Sequence, residues 1–304
     1  MDMSLRLYIV GLIFFSGIGV TAGAHRLWSH RSYKANTPLR LLLVFSNSTA
    51  FMNPIYEFVR DHRIHHKFTD TDADPHNAKR GFFFSHMGWL MVKKHPDVKL
   101  KGKLIDMSDI EADKIVMWQR KYYAYVMPLC TFFLPAFIAM YFWGLRLWPA
   151  LKLCGVMRWL IVLHGAWFVN SAAHIWGNKP YDSSISSTEN PFVSFFAMGE
   201  GWHNYHHAFP WDYKTSELPY HLNFSTAFID FFARIGWARD LKTVKKDMII
   251  KRSLRTGDRS LQKKQDDPNE NEEEQKSDHN NDIWGWNDKD LTSEQKSIAK
   301  ITYQ

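Results

Sequence analysis

Long apolar runs alternate with polar segments along the 304 residues of this chain. Three of the runs, roughly 4–24, 122–145 and 156–177, are each as long as the ~20 residues that a helix needs to cross a bilayer. The first run passes into histidine-rich sequence without a break in character, which favours a span over a cleaved signal peptide. Pro128 and Pro135 in the second run predict a kink within a continuous helix. The pattern therefore predicts an all-α, multi-pass membrane protein.

The remaining segments define the rest of the domain organisation. Residues 37–52 are apolar but too short to cross, which predicts an interfacial or re-entrant helix that opens at Pro38. From residue 260 onward Asp, Glu, Asn, Gln, Lys and Ser dominate, a composition typical of disorder. We therefore predict a membrane domain over residues 1–259 and a disordered, acidic and polar tail over residues 260–304.

The formal charge of +7 conceals an asymmetry between the body and the tail. Residues 261–304 carry six Lys and eleven Asp or Glu, a net charge of −5, so residues 1–260 carry +12. A basic body beside apolar runs favours an anionic membrane surface, an anionic substrate or an acidic partner. No nucleic-acid-binding motif accompanies the charge, so nucleic acid is not expected as a partner. Two cysteines are too few for a disulfide framework or a Cys-rich metal site.

Three histidine clusters stand out in the polar segments. His62–His66 and His203–His207 both have histidines at positions i, i+3 and i+4, which share one face of a helix and are expected to aim three imidazoles at one point. His25 and His30 are five residues apart, which predicts the end of a helix, because a regular α-helix would turn them apart. These 16 residues hold eight of the 15 histidines, which indicates metal binding.

The number of histidines restricts the kind of metal site. Clustered imidazoles suit zinc, copper, iron or nickel, but eight or more ligands exceed one tetrahedral zinc site and match two metals. The zinc-peptidase motif His-Glu-x-x-His is absent. The Glu-x-x-His pairs of soluble di-iron bundles are represented only by Glu200–His203. A histidine-rich, paired-iron site in a membrane protein is therefore predicted.

The three predicted crossings would bring all three clusters to one side of the membrane. His174 ends the last span on that side, one turn after Asn170, which predicts a further ligand. Six other histidines show no cluster spacing and are expected to be structural or solvated, with His76 or His221 as possible outer partners of the ligands; the six are His76, His86, His95, His164, His221 and His279.

From about Ser4 to Arg259 the sequence resembles the animal acyl-CoA desaturases, the stearoyl-CoA Δ9-desaturase family. The matching segments are Thr21–Lys34, Arg60–Lys67, Ala73–His76, Gly81–His86, Asn170–His174 and Gly201–His207. A single His-x-x-His-His motif would be weak, because sterol and alkane oxidation enzymes share it. The three clusters in this order, with the Gly81–His86 and Asn170–His174 segments, make the resemblance specific.

The resemblance implies membrane helices with a helical cytosolic cap that holds two irons. The implied metal ligands are His25, His30, His62, His65, His66, His174, His203, His206 and His207, with Asn170 acting through a water. The implied reaction is the O2-dependent removal of two hydrogens from adjacent methylenes of a saturated fatty acyl-CoA, such as stearoyl-CoA or palmitoyl-CoA, which leaves a cis double bond, by default at Δ9. Electrons would come from cytochrome b5 and its NADH-dependent reductase, at the endoplasmic reticulum membrane with the metal site facing the cytosol.

The resemblance also implies a substrate site. Contacts to CoA are implied at Asn53, Arg60, Asp61, Lys93, Lys94 and Trp167. Cations at such positions suit the CoA phosphates. An acyl tunnel is implied at Met52, Phe58 and Ala166, where the mammalian enzymes have Gln, Trp and Thr. At the tunnel end Ile13 and Gly17 replace a Tyr and an Ala, and these smaller residues predict tolerance of acyl chains at least as long as stearoyl.

The resemblance implies a cytosolic segment and a first transmembrane span ahead of the matching region, and we expect that they are absent if Met1 is the true start, or lie outside this sequence if it is incomplete. An acyl-CoA desaturase of other regiospecificity, a hydroxylase and a catalytically inactive acyl-CoA-binding membrane protein therefore stay open as alternatives. The intact set of metal ligands favours catalysis.

Overall fold

Three long helical stretches dominate the computed structural model, which describes residues 2–261, 293 and 299–302. The stretches Met3–Ser29, Lys114–Trp143 and Leu147–Ile175 contain 27, 30 and 29 residues and are apolar enough to cross a bilayer. Each exceeds the ~20 residues required. Because nearly all the regular structure elsewhere in the described residues is also helical, the predicted all-α membrane fold is confirmed.

The first stretch changes its helical form before it reaches the polar cap. Helix α1, Met3–Ile18, continues as a π-helical segment over Gly19–Ser29. A π-helix bonds residue i+5 back to residue i, so residues five apart lie one above the other. The N–H of His30 accordingly donates to the carbonyl of His25 at 3.2 Å. The cluster therefore lies at a helix end, as its spacing predicts, and the π geometry turns both rings the same way.

The second and third stretches also contain π-helical turns. Helix α7, Lys114–Pro128, passes through Leu129–Phe133 into α8, Leu134–Trp143, and stays continuous although it contains two prolines. In the third stretch α9, Leu147–Ala150, is followed by the π segment Leu151–Met157, and then by two more helices. These are α10, Arg158–Asn170, and α11, Ala172–Ile175.

The predicted interfacial segment corresponds to α2, Thr37–Ala50. The side chain of Asn36 caps its start by accepting a hydrogen bond from the Leu39 N–H at 3.1 Å. The helix ends at Phe51, whose backbone is left-handed with φ of 45°. Helix α2 packs against α1, against the π segment Gly19–Ser29 and against α7. It is therefore part of the bundle that supports the cap.

The polar segments form a cap of short helices and strands. Its helices are α3 Ile55–Lys67, α4 Phe82–His86, α5 Pro96–Gly102, α6 Ser108–Glu111, α12 Pro191–Phe196, α13 His203–Ala208, α14 Phe224–Arg234 and α15 Lys246–Thr256, with 3-10 turns at Ala78–Arg80 and Gly88–Leu90. Strand β1, Lys34–Ala35, pairs antiparallel with β2, Ala238–Arg239. The main apolar core joins the cap end of the first stretch to α2, α3 and α14.

Four residues of the tail that was predicted to be disordered form a β-strand. Strand β4, Ala299–Thr302, pairs antiparallel with β3, Leu241–Val244, so that Leu241 lies opposite Thr302. Residues 262–292, 294–298 and 303–304 of the tail lie outside the described residues. For the four residues of β4 the expectation of a structureless tail does not hold, because backbone pairing with β3 orders them.

Candidate metal centre

The nine histidines predicted as ligands come together in two sets. The five-histidine set is His25, His30, His62, His66 and His206, and the four-histidine set is His65, His174, His203 and His207. Within each set one ring nitrogen from every residue lies within 4.8 Å of all the others. Residues from four separate parts of the chain, 25–30, 62–66, 174 and 203–207, therefore converge on two neighbouring points.

The spacing of the nitrogens in the five-histidine set fits a metal ion. The Nε2 atom of His30 lies 2.7 Å from that of His62 and 3.2 Å from that of His25. The Nε2 atom of His206 lies 3.0 Å from those of His25 and His66. Nitrogens at about 2.1 Å from one ion and at right angles around it are about 3.0 Å apart. The donor set therefore has the spacing of ligands around a single metal.

The four-histidine set has the same spacing. The Nε2 atom of His203 lies 3.0 Å from that of His174 and 3.1 Å from that of His207. The His65 ring centre lies 5.0 Å from that of His174 and 5.1 Å from that of His207. The two sets adjoin each other, because the rings of His66 and His207 stack at 4.1 Å. The arrangement fits a pair of metal ions rather than two separate sites.

Each His-x-x-His-His helix serves both sets, so the expectation that its three imidazoles aim at one point is wrong. In α3 the residues at i and i+4, His62 and His66, join the five-histidine set, whereas His65 joins the other. In α13 the residues at i and i+4, His203 and His207, join the four-histidine set, and His206 joins the five-histidine set. Consecutive residues on a helix point about 100° apart. One helix therefore reaches two metals when it lies between them.

Burial keeps these imidazoles in the neutral form that binds metals. The pKa values of five ligands outside the spanning stretches are lowered well below 6.5, first by burial and then by neighbouring imidazoles; the five are His62, His66, His203, His206 and His207. Both effects disfavour the charged imidazolium. The sets therefore offer lone pairs at neutral pH.

Three ligands hold an outer partner through their other ring nitrogen. His25 Nδ1 lies 2.9 Å from Glu200 Oε2, and His65 Nδ1 lies 3.0 Å from both carboxylate oxygens of Asp74. His174 Nδ1 lies 2.8 Å from Ser186 Oγ. A proton on Nδ1 leaves the lone pair on Nε2, which faces the set. These partners would orient the three predicted ligands toward a bound metal.

Glu200, three residues before His203, belongs to neither histidine set. Its carboxylate contacts His25 and accepts a hydrogen bond from the buried Arg26 at 2.9 Å, instead of joining His203 in a metal set. Burial alone would raise the pKa of Glu200, but the charge of Arg26 and the hydrogen bond from His25 lower it below its usual value. Sequence reasoning also missed Asp74 and Ser186. The Asp-rich loop before His76 was the signal for Asp74.

A cavity of about 270 Å³ reaches the five-histidine set. Its wall is mainly apolar and aromatic, with Asn53, His62, His76 and the predicted ligand Asn170 as polar members. The full lining is Phe51, Met52, Asn53, Phe58, His62, His76, Trp89, Leu90, Trp159, Leu163, Trp167 and Asn170. Asn170 therefore faces the same space as His62 and stands outside both histidine sets. Of the predicted substrate residues, Asn53, Trp167, Met52 and Phe58 lie here.

The predicted tunnel residues continue the cavity wall into the bundle. Ile13, Met52 and Phe58 pack against one buried apolar cluster formed by Val20, Ala50 and Val162. Ala166 is half-buried on α10, beside Trp167 in sequence.

The space beside Gly17, at the predicted tunnel end, is occupied by another side chain. A Cβ atom built on Gly17 would lie 2.6 Å from Met198 Sδ and closer still to Met198 Cε. The side chain of Met198 therefore fills this space.

The predicted CoA contacts form an ion-paired group next to the cavity. Asp61 accepts hydrogen bonds from Arg60 at 3.3 Å and from the ammonium of Lys94. Lys93 and Lys94 line a shallow recess together with Trp89, and Trp89 also lines the cavity. The cations and the apolar cavity thus share one wall.

The other histidines divide into partners and surface residues. His76 is buried, with Nδ1 3.4 Å from Asp74 Oδ1 and its ring 5.0 Å from that of His65. His86 and His164 contact each other at 2.9 Å, away from both sets. His95 and His221 are exposed, and His279 lies outside the described residues.

Comparisons with known proteins agree with this geometry. The family model described as fatty acid desaturase matches residues 4–224. The chain is 55% identical over 300 residues to an acyl-CoA Delta-9 desaturase of Acheta domesticus, covering 98% of this chain and 78% of that protein. It is 55% identical over 245 residues to a stearoyl-CoA desaturase of Homo sapiens, covering 81% and 68%.

A relative named for a different double-bond position is almost as similar to the chain. The chain is 52% identical over 289 residues to an acyl-CoA Delta12-desaturase of Acheta domesticus, covering 95% of this chain and 75% of that protein. The family match and the identities agree with the convergent histidine sets and the three spanning helices. The chain therefore belongs to the animal acyl-CoA desaturase family and is a multi-pass membrane acyl-CoA desaturase.

Proposed function

We propose that the two histidine sets hold two iron ions and that the enzyme introduces a cis double bond, by default at Δ9, into a saturated fatty acyl-CoA such as stearoyl-CoA or palmitoyl-CoA. O2 is the oxidant, and cytochrome b5 with its NADH-dependent reductase supplies electrons. The observation that carries the proposal is the apolar cavity whose wall includes His62 of the five-histidine set. An acyl chain in this cavity lies beside a metal.

The ligand sets suit iron in this role. Imidazole binds iron, zinc, copper and nickel, but removal of hydrogen from an unactivated methylene requires a redox metal. Two irons with open coordination positions supply, together with O2, an oxidant strong enough for this bond. The chain contributes five and four imidazoles, and Asn170 in the cavity wall is the position proposed to act through a water.

The cavity wall would position the acyl chain and exclude water. Met52, Phe58 and Leu163 provide apolar contact, and Trp167 adds an indole at the same wall. Outside the cavity, Arg60, Lys93 and Lys94 provide cations for the CoA phosphates. The two halves of an acyl-CoA thus match two adjoining parts of the surface.

A different double-bond position is the second candidate. Relatives named as Delta-12 desaturases, from Acheta domesticus and Tribolium castaneum, are 52% and 50% identical to the chain. The proposed bend positions Met52, Phe58 and Ala166 differ from the Gln, Trp and Thr of the mammalian enzymes. Product analysis therefore decides between Δ9 and Δ12, and it also identifies a hydroxylated product.

The proposed location is the endoplasmic reticulum membrane with the cap in the cytosol. Residues 1–260 carry a net charge of +12, which suits an acidic electron carrier and an anionic membrane surface. Protease protection of an epitope on the cap in sealed microsomes tests this orientation. Cleavage without detergent is expected, and protection would contradict it.

Complementation of desaturase-deficient yeast tests the activity. The chain is expected to restore growth without added unsaturated fatty acids, and mass spectrometry of the products gives the double-bond position. His203→Ala removes a ligand of the four-histidine set and is expected to abolish product. His221→Ala changes an exposed histidine outside both sets and serves as the matched control. A chain that is expressed in the membrane but gives no product would refute the proposal.

Metal analysis of the purified protein tests the cofactor separately. About two irons per chain are expected in the native protein, and His203→Ala is expected to lower this number while His221→Ala leaves it unchanged. Zinc in place of iron in active protein would refute the iron assignment.

A further inference from the structure

A short segment of the cap is wedged between two spanning helices. The end of α12 and the residues that follow it, 196–198, contact a glycine on each side. A Cβ atom at Gly165 on α10 would lie 2.9 Å from the carbonyl oxygen of Phe196. A Cβ atom at Gly17 on α1 would meet the side chain of Met198. The two glycines together make the room that the wedge occupies.

The backbone holds Met198 firmly in this place. Met198 has φ of 57°, a left-handed conformation that is uncommon for residues other than glycine. Its carbonyl accepts hydrogen bonds from Ser225 N–H at 3.2 Å and Ser225 Oγ at 3.0 Å. The residue is only 4% exposed. The side chain is therefore a fixed part of the interior and not a surface residue that happens to lie near the helix.

The stripe of α1 that Met198 completes faces the cavity wall. Ile13, Gly17 and Val20 are spaced i, i+4 and i+7, so they lie on one face of the helix. Ile13 and Val20 pack in the apolar cluster that includes Met52 and Phe58, and both of these line the cavity. Gly17 contributes no side chain to this stripe. The side chain of Met198, which belongs to the main apolar core, occupies the space beside Gly17 instead.

We propose that Met198, and not the residue at position 17, limits the length of the acyl chain that the enzyme accepts. The inference rests on the proposed function, because it requires the acyl chain to extend along the stripe of α1. A methionine at this place is unbranched and adaptable, so it closes the space beside a glycine more completely than a stiff side chain would. The small residue at position 17 therefore gives no longer tunnel.

The direction of each substitution follows from the contact. Met198→Ala removes three heavy atoms from the end of the stripe and leaves room for further methylenes of the substrate. Alanine at φ of 57° strains the backbone no more than methionine does, so the loop is expected to keep its shape. Gly17→Ala adds a methyl group to the stripe itself and pushes the Met198 side chain away from α1 into the neighbouring interior, so less room is left at this end. The two substitutions are expected to have opposite effects.

The test compares product profiles of yeast membranes supplied with 16-, 18- and 20-carbon saturated acyl-CoA. Met198→Ala is expected to raise the ratio of 20-carbon to 16-carbon product about tenfold, since room for one or two methylenes in an apolar pocket changes discrimination by about that factor. Gly17→Ala is expected to lower the ratio, and the double variant Gly17→Ala with Met198→Ala is expected to restore it. Met157→Ala, on the lipid-exposed side of the third stretch, is the matched control.

Each outcome decides one claim. Absence of any unsaturated product from the unchanged chain would overturn the proposed function. Product from the unchanged chain with the same chain-length ratio in Met198→Ala would overturn the assignment of Met198 alone. If Met198→Ala accumulates too poorly to assay, Met198→Val removes less volume, and a ratio equal to that of Met157→Ala would then overturn the assignment.

Discussion

Both carboxylate oxygens of Asp109 accept hydrogen bonds from the buried guanidinium of Arg63, at 2.9 and 2.7 Å. Arg63 follows His62 on α3, and its side chain also donates to the carbonyls of Trp28 at 2.8 Å and Ser29 at 3.2 Å. These residues end the first spanning stretch. The pair therefore sets the rotation of α3 relative to that stretch and, with it, the direction of the histidines on α3.

Asp109→Asn is expected to destabilise the protein by about 1–3 kcal/mol, because it leaves a buried guanidinium without its carboxylate. Because Asp109 is partly exposed, solvent screens the pair and the expected loss of stability does not exceed this range. Thermal unfolding of the detergent-purified protein measures it. Asp247→Asn, at an exposed position in the first turn of α15, is the control. Equal unfolding temperatures for the two variants would show that the pair contributes nothing.

The same pair predicts a pH dependence. Burial alone would raise the pKa of Asp109, but hydrogen bonds from Arg31 and Arg63 lower it below its usual value of 3.8. A carboxylate whose folded-state pKa is lowered adds stability that is fully present above the unfolded pKa and is lost as pH falls toward the folded value. The stability difference between the unchanged protein and Asp109→Asn is therefore expected to shrink as pH falls below about 4. A constant difference from pH 6 to pH 3 would contradict this.

Asp74→Asn is expected to weaken iron binding about 10- to 100-fold, because the carboxylate orients His65 through Nδ1. Retention of iron during dialysis against a competing chelator measures the effect without an activity assay. Asp72→Asn changes an exposed aspartate two residues away and serves as the control. Iron retention by Asp74→Asn equal to that of the control would remove the proposed role of Asp74.

Lys94→Ala is expected to raise the KM for acyl-CoA about tenfold while kcat changes little, because the ammonium would contact CoA and not the reacting carbons. The effect should diminish at high ionic strength, since Lys94 is partly exposed. Lys99→Ala, at an exposed position on α5, is the control. A loss of kcat with unchanged KM would indicate that Lys94 acts structurally through its pair with Asp61.

The hydrogen bonds of Arg158 are expected to stabilise the packing of the helices inside the bundle. Its buried guanidinium donates to Ser16 Oγ at 2.8 Å and to the carbonyls of Thr49 and Thr131, both at 2.6 Å. These contacts join all three spanning stretches and α2. Arg158→Met is expected to lower stability by about 2–4 kcal/mol, because several buried acceptors lose their donor. Lys152→Met, at an exposed position of the same stretch, should have little effect on the unfolding temperature. Similar unfolding temperatures for both variants would contradict this role.

Local sequence patterns were sufficient for the elements and for the ligand candidates. The apolar runs located the three spanning helices, which begin before the runs, and the spacing of His62–His66 identified a helix that presents imidazoles on one side. Both signals depend on neighbours within a few residues, which is the range over which helix geometry acts. The π-helical form of Gly19–Ser29 was not visible in this way, although it explains how His25 and His30 point together.

Contacts between distant residues required the folded chain. The split of each His-x-x-His-His cluster between two metal sets depends on where α3 and α13 lie, and His25 meets His206 although they are 181 residues apart in sequence. The same holds for the carboxylate of Glu200 at His25 and for Met198 in the space beside Gly17.

The sequence by itself determined the membrane-spanning helices, the family and the histidines available as ligands, because composition and short-range spacing carry that information. The tertiary structure alone decided which histidines come together in each set, which carboxylates contact them, and which side chain lies beside Gly17. The physical reason is that these properties depend on how helices pack against one another. A side chain from one segment then fills the space, or completes the hydrogen bonds, that another segment leaves open.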